Sequence, residues 1–292
     1  MRKRVAGVTG AGSPTVRRRE LGALLRALRT DAGMTVDQVA DSLMCSPSKV
    51  SRMETGHRGV SPRDIRDLCE LYGVNDQGER ERLADLAQEG KAPGWWQPFD
   101  LDPLYATFVG LESEALSISE YGAGVFPGLL QTPDYARALH EAIVPRLSPD
   151  EIAQRVEVRM IRQQVLARPD PPQFTVIVDE AVLHRAVGHP AVMRDQLERV
   201  IEAASLPNVT IRVLPYEAGA HAALDSMFII LEFSAPVPGV IYVNGLVGQI
   251  YLEREQDVQR YRQVFDQLRA LSLDPEDSID LISEALRTYR DG

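Results

Sequence analysis

The first ninety residues contain a run of short amphipathic helix patterns, joined by connections of only a few residues. In the first pattern, apolar residues recur at the spacing of one helix face, at Leu21, Leu24, Leu25 and Leu28. Capping signals open three later helices: Thr35 with Gln38, Ser46 before Pro47, and Ser61 before Pro62. The pattern predicts five helices and a compact all-α domain over residues 15–90.

Two of these predicted helices have the layout of a helix-turn-helix. The first ends near Leu43, the turn is Met44-Cys45-Ser46, and the second runs from Pro47 to about Thr55. On the second helix, three polar residues share an outward face near its N-terminus: Ser48, Lys49 and Arg52. In a helix-turn-helix this end enters the major groove, where Lys and Arg suit the acceptors of guanine. The competing interpretation is a small helical bundle with a solvated polar face.

Charge is distributed unevenly along the chain. Residues 1–66 carry 13 Lys and Arg against 6 Asp and Glu, a net charge of +7, whereas the whole chain has a net charge of −10. A basic segment on an acidic body favours a module that binds a polyanion. We expect residues 1–14 to be a flexible basic arm that adds affinity for phosphate, the alternative being an inert solvated tail.

The stretch from Leu21 to Tyr72 resembles the Cro/C1-type (XRE-like) helix-turn-helix family. The similarity is carried by LGALLRALRTDAGMT, VDQVADSLMCSPSKVSRMETGHRGVSP and IRDLCELYGV. The resemblance implies that Ser48, Lys49 and Arg52 contact bases and that Arg58 contacts phosphate. We expect Arg17 and Arg18, next to the basic arm, to contact phosphate as well.

The same resemblance implies a structural ion pair. Glu54 matches a family acid that pairs with an arginine of the first helix, for which Arg26 and Arg29 are the candidates. Two residues depart from the family pattern. Val36 stands where the family often has a DNA-contacting Gln, and Met44 stands where the turn often has a Gly, which takes positive φ freely.

Residues 91–292 are expected to form a larger mixed α/β domain with regulatory and dimerisation roles. The predicted strands are Phe174–Asp179, Val209–Leu214, Met227–Phe233, Val240–Val243 and Gln249–Leu252, with the first two joined by a helix and the last three forming a meander. The predicted helices are Leu104–Tyr121, Thr132–Ile143, Pro149–Arg168, Arg194–Ala204, Glu255–Leu271 and Pro275–Arg290.

This second part is similar to the regulatory domain of WhiJ-type proteins. The similarity is carried by VFPGLLQTPDYARAL, VEVRMIRQQVL, VIVDEAVLHRAVG, PNVTIRVLPYEAGAH and GQIYLE. Such regulators occur in filamentous bacteria and are linked to development and secondary metabolism. The resemblance implies a domain that senses an effector or a partner protein, or an antitoxin-like repressor gated by a small protein from an adjacent gene.

Catalytic and metal sites are not indicated by the sequence. Asp179, Glu180 and His184 are explained by strand ends and solvent exposure, and no Ser-His-Asp arrangement or metal-ligand cluster emerges. We therefore expect no enzyme activity and no cofactor, with an enzyme carrying a DNA-binding appendage as the remote alternative. His221 and Asp225, in a Gly- and Ala-rich loop, are the candidate pocket residues for a small-molecule effector.

The expected partners follow from the interpretation of the first domain as a DNA-binding helix-turn-helix. One recognition helix covers too few base pairs to select a site in a genome, so we expect a homodimer on a pseudo-palindromic operator in double-stranded DNA. No export signal and no membrane segment are apparent in the sequence, and we expect a cytoplasmic protein.

Overall fold

The computed structural model describes residues 13–144, 146–245 and 248–289. The chain divides into two compact units. The first comprises the described residues up to Glu114 together with Phe233–Pro238, and the second comprises Ala115–Glu232 and the described residues from Gly239 onward. The predicted basic arm, residues 1–14, lies almost entirely outside the described residues.

The first unit is helical, as predicted. Its helices are α1 (Pro14–Asp31), α2 (Val36–Ser42), α3 (Pro47–Glu54), α4 (Pro62–Leu71), α5 (Gln77–Glu89) and α6 (Pro103–Glu112). The five helices up to Glu89 enclose a single apolar core, whose buried members include Leu21, Leu25, Val39, Val50, Met53, Ile65, Leu68 and Leu83. The helical periodicity of these residues therefore marks the buried faces correctly.

Local capping explains where these helices begin. The Thr35 hydroxyl accepts a hydrogen bond from the Gln38 N–H while the Gln38 side chain accepts one from the Thr35 N–H, which forms a capping box. Ser61 and Asp64 form the same arrangement at the start of α4. These reciprocal bonds satisfy backbone donors that a helix N-terminus leaves without partners.

Helix α6 belongs to the first unit because it packs against α1. The approach is close, since a Cβ atom placed on Gly110 would lie 2.5 Å from Oγ1 of Thr15. The first unit thus extends to Glu114. The sequence predicts the boundary between the two domains earlier, at Gly90.

The second unit is built on a mixed sheet, which confirms the predicted α/β class. Within the described residues the sheet has six strands in the order β3-β2-β1-β4-β5-β6. The strands are β1 (Ser117–Gly122), β2 (Gln173–Asp179), β3 (Val209–Leu214), β4 (Phe228–Glu232), β5 (Val240–Gly245) and β6 (Gly248–Leu252). Strands β1 to β3 are parallel, and β1, β4, β5 and β6 pair antiparallel in turn, which confirms the predicted meander.

The second unit also contains helices, several of which pack against the strands of this sheet. They are α7 (Pro133–Ile143), α8 (Pro149–Arg162), α9 (Ala181–His184), α10 (Pro190–Ala203), α11 (Glu255–Leu271) and α12 (Pro275–Thr288). Helix α10 joins the parallel strands β2 and β3, as predicted. Helix α8 ends at Arg162, and 3-10 turns continue to Ala167 where the prediction had a helix to Arg168.

The prediction of one helix over Leu104–Tyr121 is wrong beyond Glu112. Residues Ser117–Gly122 form β1, which lies between β2 and β4 in the middle of the sheet. Ile118 and Tyr121 are buried there. Their spacing of three fits a helix face, and only the long-range pairing with β2 and β4 selects the extended form.

Candidate nucleic-acid interface

Helices α2 and α3 cross closely and bury their facing sides. Ala40 on α2 is fully buried, as are Val39 beside it and Val50 and Met53 on α3. The Ser46 hydroxyl accepts a hydrogen bond from the Lys49 N–H at 3.2 Å, and Pro47 occupies the first helical position of α3. This packing leaves the other side of α3 facing outward.

The turn between α2 and α3 contains a residue in the left-handed region. Met44 has φ of 49° and is 89% exposed. The Met44 N–H donates to the Asp41 carbonyl and the Cys45 N–H donates to the Ala40 carbonyl, which is the Schellman pattern. The same pattern ends α1 at Gly33 and α4 at Gly73. Met44 therefore fills a position where glycine is less strained.

The exposed face of α3 carries two of the three predicted base-contacting residues. Ser48 and Arg52 are both exposed and lie one helical turn apart. A hydroxyl and a guanidinium on one face provide donors of the kind that read base edges in a major groove. Arg58, the predicted phosphate contact, is also exposed and lies just after α3, where its N–H donates to the Arg52 carbonyl.

Lys49, the third predicted base-contacting residue, is held in an ion pair. Its Nζ lies 2.6 Å from Oδ1 of Asp64, and the two side chains are only 24% and 19% exposed. Oδ2 of Asp64 accepts from the Ser61 hydroxyl at 2.6 Å and from the Ser61 N–H at 3.2 Å. Burial alone would raise the pKa of Asp64, but these hydrogen bonds hold it below its ordinary value.

Arg29 is the arginine that pairs with Glu54. Its Nε and Nη2 donate to the two carboxylate oxygens of Glu54 at 2.6 and 3.0 Å, and its Nη1 donates to the Met34 carbonyl at 2.8 Å. The Arg29 and Glu54 side chains are 13% and 6% exposed. The hydrogen bonds to Glu54 raise the pKa of Arg29. The other candidate, Arg26, is exposed.

Gly22, which the sequence reasoning missed, allows α1 to approach the end of α3. A Cβ atom at this position would lie 2.5 Å from the Glu54 carbonyl oxygen and 2.6 Å from that of Met53. The available signal was a glycine in the middle of a leucine-rich helix pattern, which usually marks a close contact. Gly22 and the Arg29–Glu54 pair together seat α3 on α1.

Arg17 and Arg18, predicted to contact phosphate, are engaged within the first unit. Arg17 lies 2.8 Å from Glu20 and 3.1 Å from Glu89 on α5. Nη1 of Arg18 donates to the Gly90 carbonyl at 3.4 Å, and burial lowers the pKa of Arg18. Val36, the predicted departure from the family pattern, begins α2 and is half-buried.

The two candidate effector residues lie on a long connection after β3. His221 lines a groove of about 420 Å³ between this connection and the end of α11, next to Gln267 and Leu271. Nε2 of His221 lies 3.4 Å from the buried Tyr121 hydroxyl. Asp225 is exposed and does not line this groove.

Comparison with known proteins identifies both parts of the chain. A family model described as "Domain of unknown function (DUF5753)" matches residues 105–284. The chain belongs to the DUF5753 family. A second model, described as a helix-turn-helix domain, matches residues 20–83 of this DUF5753 protein and covers α2 and α3. The DUF5753 chain is thus a DNA-binding protein of the helix-turn-helix class.

A curated relative matches part of the chain. The competence pilus inhibition repressor of Acinetobacter baylyi is 28% identical over 86 residues, which is 30% of this DUF5753 chain and 78% of the relative. No solved structure gives a significant match. Among the described residues, no helix has both the length and the apolar character needed to cross a membrane, and no group of three or more His, Cys, Asp and Glu side chains could hold a metal ion.

Proposed function

We propose that the chain is a sequence-specific transcriptional regulator that reads DNA with the outward face of α3. The observation that carries this proposal is the exposure of Ser48 and Arg52 on a helix whose opposite face is buried and whose end is tied to α1 through Glu54. In this proposal Ser48 and Arg52 contact base edges, and Arg58 contacts phosphate. The part that contacts DNA lies within residues 15–90.

The similarity to the Acinetobacter competence pilus inhibition repressor supports a repressor role. The similarity to WhiJ-type regulators supports a role in development or secondary metabolism. Regulation of chromosomal genes would place the protein in the cytoplasm, and no reaction is assigned to it.

The proposed state on DNA is a homodimer. Two copies would place their α3 helices in successive major grooves, on half-sites about 34–36 Å apart. Residues beyond Gly90 are the proposed source of the dimer contact. Light scattering with and without operator duplex tests this proposal, and a protein that stays monomeric on its operator would contradict it.

The second unit is proposed to respond to an effector. The groove beside His221 is its candidate site for a small molecule, because it combines an imidazole with an apolar wall. A small protein from an adjacent gene is the alternative trigger. Co-purification distinguishes them, since a bound small molecule supports the first and a stoichiometric small protein the second.

In vitro selection from a randomised duplex library tests the proposed function. We expect the wild-type chain to enrich one pseudo-palindromic duplex, and the S48A/R52A variant to enrich none. The matched control is R26A, which removes an exposed arginine from α1 and should enrich the wild-type duplex. Failure of the wild-type chain to enrich any sequence would refute the proposal.

A further inference from the structure

We infer that Lys49 is a positioning residue, paired with Asp64, and does not read a base. This inference rests on the proposed function, because it concerns how α3 is presented to DNA. Asp64, which lies on α4 outside the helix-turn-helix, then contributes to DNA recognition by holding Lys49.

The ammonium group of Lys49 is already bound by the Asp64 carboxylate. Nζ is 2.6 Å from Oδ1 of Asp64, and about three-quarters of each side chain is covered. An exposed lysine on a groove-facing surface would instead keep its long side chain in solvent. Ser48 and Arg52, on either side of Lys49 in sequence, are exposed in this way.

The Asp64 carboxylate cannot move with Lys49 toward DNA. Its other carboxylate oxygen accepts two hydrogen bonds from Ser61, through the hydroxyl at 2.6 Å and the N–H at 3.2 Å. These bonds form the N-terminal cap of α4, which fixes the carboxylate to the backbone. The pair therefore ties the N-terminal half of α3 to the N-terminus of α4.

A Lys49 side chain that left Asp64 would also make the approach to DNA electrostatically unfavourable. If Lys49 turned toward a base, it would leave the Asp64 carboxylate without its cation beside an approaching polyanion. Like charges in a partly buried setting repel strongly, because screening is weak there. A neutral Lys49–Asp64 pair lets the N-terminus of α3 approach phosphates without that repulsion.

The test compares K49M, D64N and the double variant on the duplex selected with the wild-type chain, and on a set of duplexes with single base-pair changes. Asn at position 64 keeps an oxygen for Ser61, so D64N retains the cap. The matched control is D67N, which removes a carboxylate one turn along α4 that pairs with Arg63 and Arg66 instead. Circular dichroism melts establish that each variant is folded under the binding conditions.

We expect K49M and D64N to weaken the selected duplex by similar factors, and the double variant to lose no more than either one. The preference for the selected duplex over each base-pair variant should stay unchanged in K49M. The salt dependence of K49M should match that of the wild type, because Lys49 neutralises no phosphate, whereas a lost phosphate contact would lower the log–log slope by about 0.9. D67N should bind like the wild type.

Three results would overturn the inference. One is that K49M loses discrimination at a single base pair by about 5- to 150-fold, the effect of a lost base contact. Another is that D64N binds the selected duplex more tightly, which would mean that Asp64 competes with DNA for Lys49. The third is that K49M binds like the wild type. Failure of the wild-type chain to select any duplex would instead refute the proposed function.

Discussion

Arg29 and Glu54 form a bidentate ion pair that joins the last turn of α1 to the last residue of α3. The two parallel hydrogen bonds fix both the distance and the orientation of the guanidinium and carboxylate planes. The third bond, from Arg29 to the Met34 carbonyl, links the same side chain to the segment that precedes α2. One arginine thus connects α1 to the end of α3 and to the segment that leads into α2.

Removal of this arginine should destabilise the first unit. We expect R29M to lower the free energy of unfolding by about 2–3 kcal/mol, because it leaves the buried Glu54 carboxylate without its partner. R29K should recover only part of this loss, since an ammonium group cannot make the bidentate contact. Chemical denaturation followed by circular dichroism measures both values.

R26M is the matched control for this prediction. Arg26 is exposed on the same helix and was the other sequence candidate for the pair. Its replacement should change the free energy of unfolding by no more than about 0.5 kcal/mol. A loss in R26M as large as that in R29M would contradict the assignment.

The turn at Met44 should gain stability from glycine. M44G relieves the strain of a side chain at φ of 49° and removes almost no packing, because Met44 is 89% exposed. We expect the free energy of unfolding to rise by about 1 kcal/mol. The reverse change, G33A, should lower the free energy of unfolding. Gly33 has φ of 68° and open space around it, so the substitution changes only the conformational energy of the backbone. Equal and opposite shifts in the melting temperature would support the account, and a destabilised M44G would contradict it.

The crossing of α1 and α3 should not tolerate a methyl group at position 22. In G22A the new Cβ would meet backbone carbonyl oxygens of Met53 and Glu54, which cannot rotate away. We expect a loss of about 3 kcal/mol, at the upper end for an overpacked core. G59A is the control, because nothing lies within 4 Å of a Cβ atom at that position. Similar stabilities of G22A and G59A would show that the helices separate easily.

His140, on α7 of the second unit, should make stability depend on pH. Burial, together with the nearby Arg159 and Arg155, lowers its pKa to about 4 from an ordinary value of 6.5. Between these values the unfolded chain binds more protons than the folded chain, so the free energy of unfolding falls as the pH decreases from 6.5 to 4.

H140Q isolates this contribution from that of other titrating groups. Relative to the wild type, the variant should lose less stability on acidification from pH 7 to pH 4, by up to about 2 kcal/mol after allowance for partial exposure. Denaturation curves across this range measure the difference. Parallel pH profiles for the two proteins would contradict the buried, neutral state of His140.

Local signals in the sequence predicted the boundaries of the five helices up to Glu89 well. Capping pairs such as Thr35 with Gln38 act over three residues, so the pattern alone determines where α2 begins. Local sequence signals could not select Arg29 over Arg26, because the choice depends on how α1 is rotated against α3. The pairing of Lys49 with Asp64 was missed for the same reason, since it requires the packing of α3 beside α4.

The difference between local signals and long-range contacts also accounts for β1 in the second unit. Ser117–Gly122 has apolar residues that suit a helix as well as a strand, and its strand form comes from pairing with β2 and β4, which lie far away in sequence. The predicted effector residues show the same limit of local sequence patterns. His221 and Asp225 are four residues apart, yet only His221 lines the groove, and the residues between them form turns and no helix.

Base reading by α3 is tested by the binding of R52A to the selected duplex and to a scrambled duplex, measured by fluorescence anisotropy at one fixed salt concentration. If α3 reads bases, R52A should lose about 1–3 kcal/mol of discrimination between the two, because the selected duplex weakens much more than the scrambled one. Equal weakening on both duplexes would mean that Arg52 contacts only phosphate and would contradict base reading by Arg52 on α3.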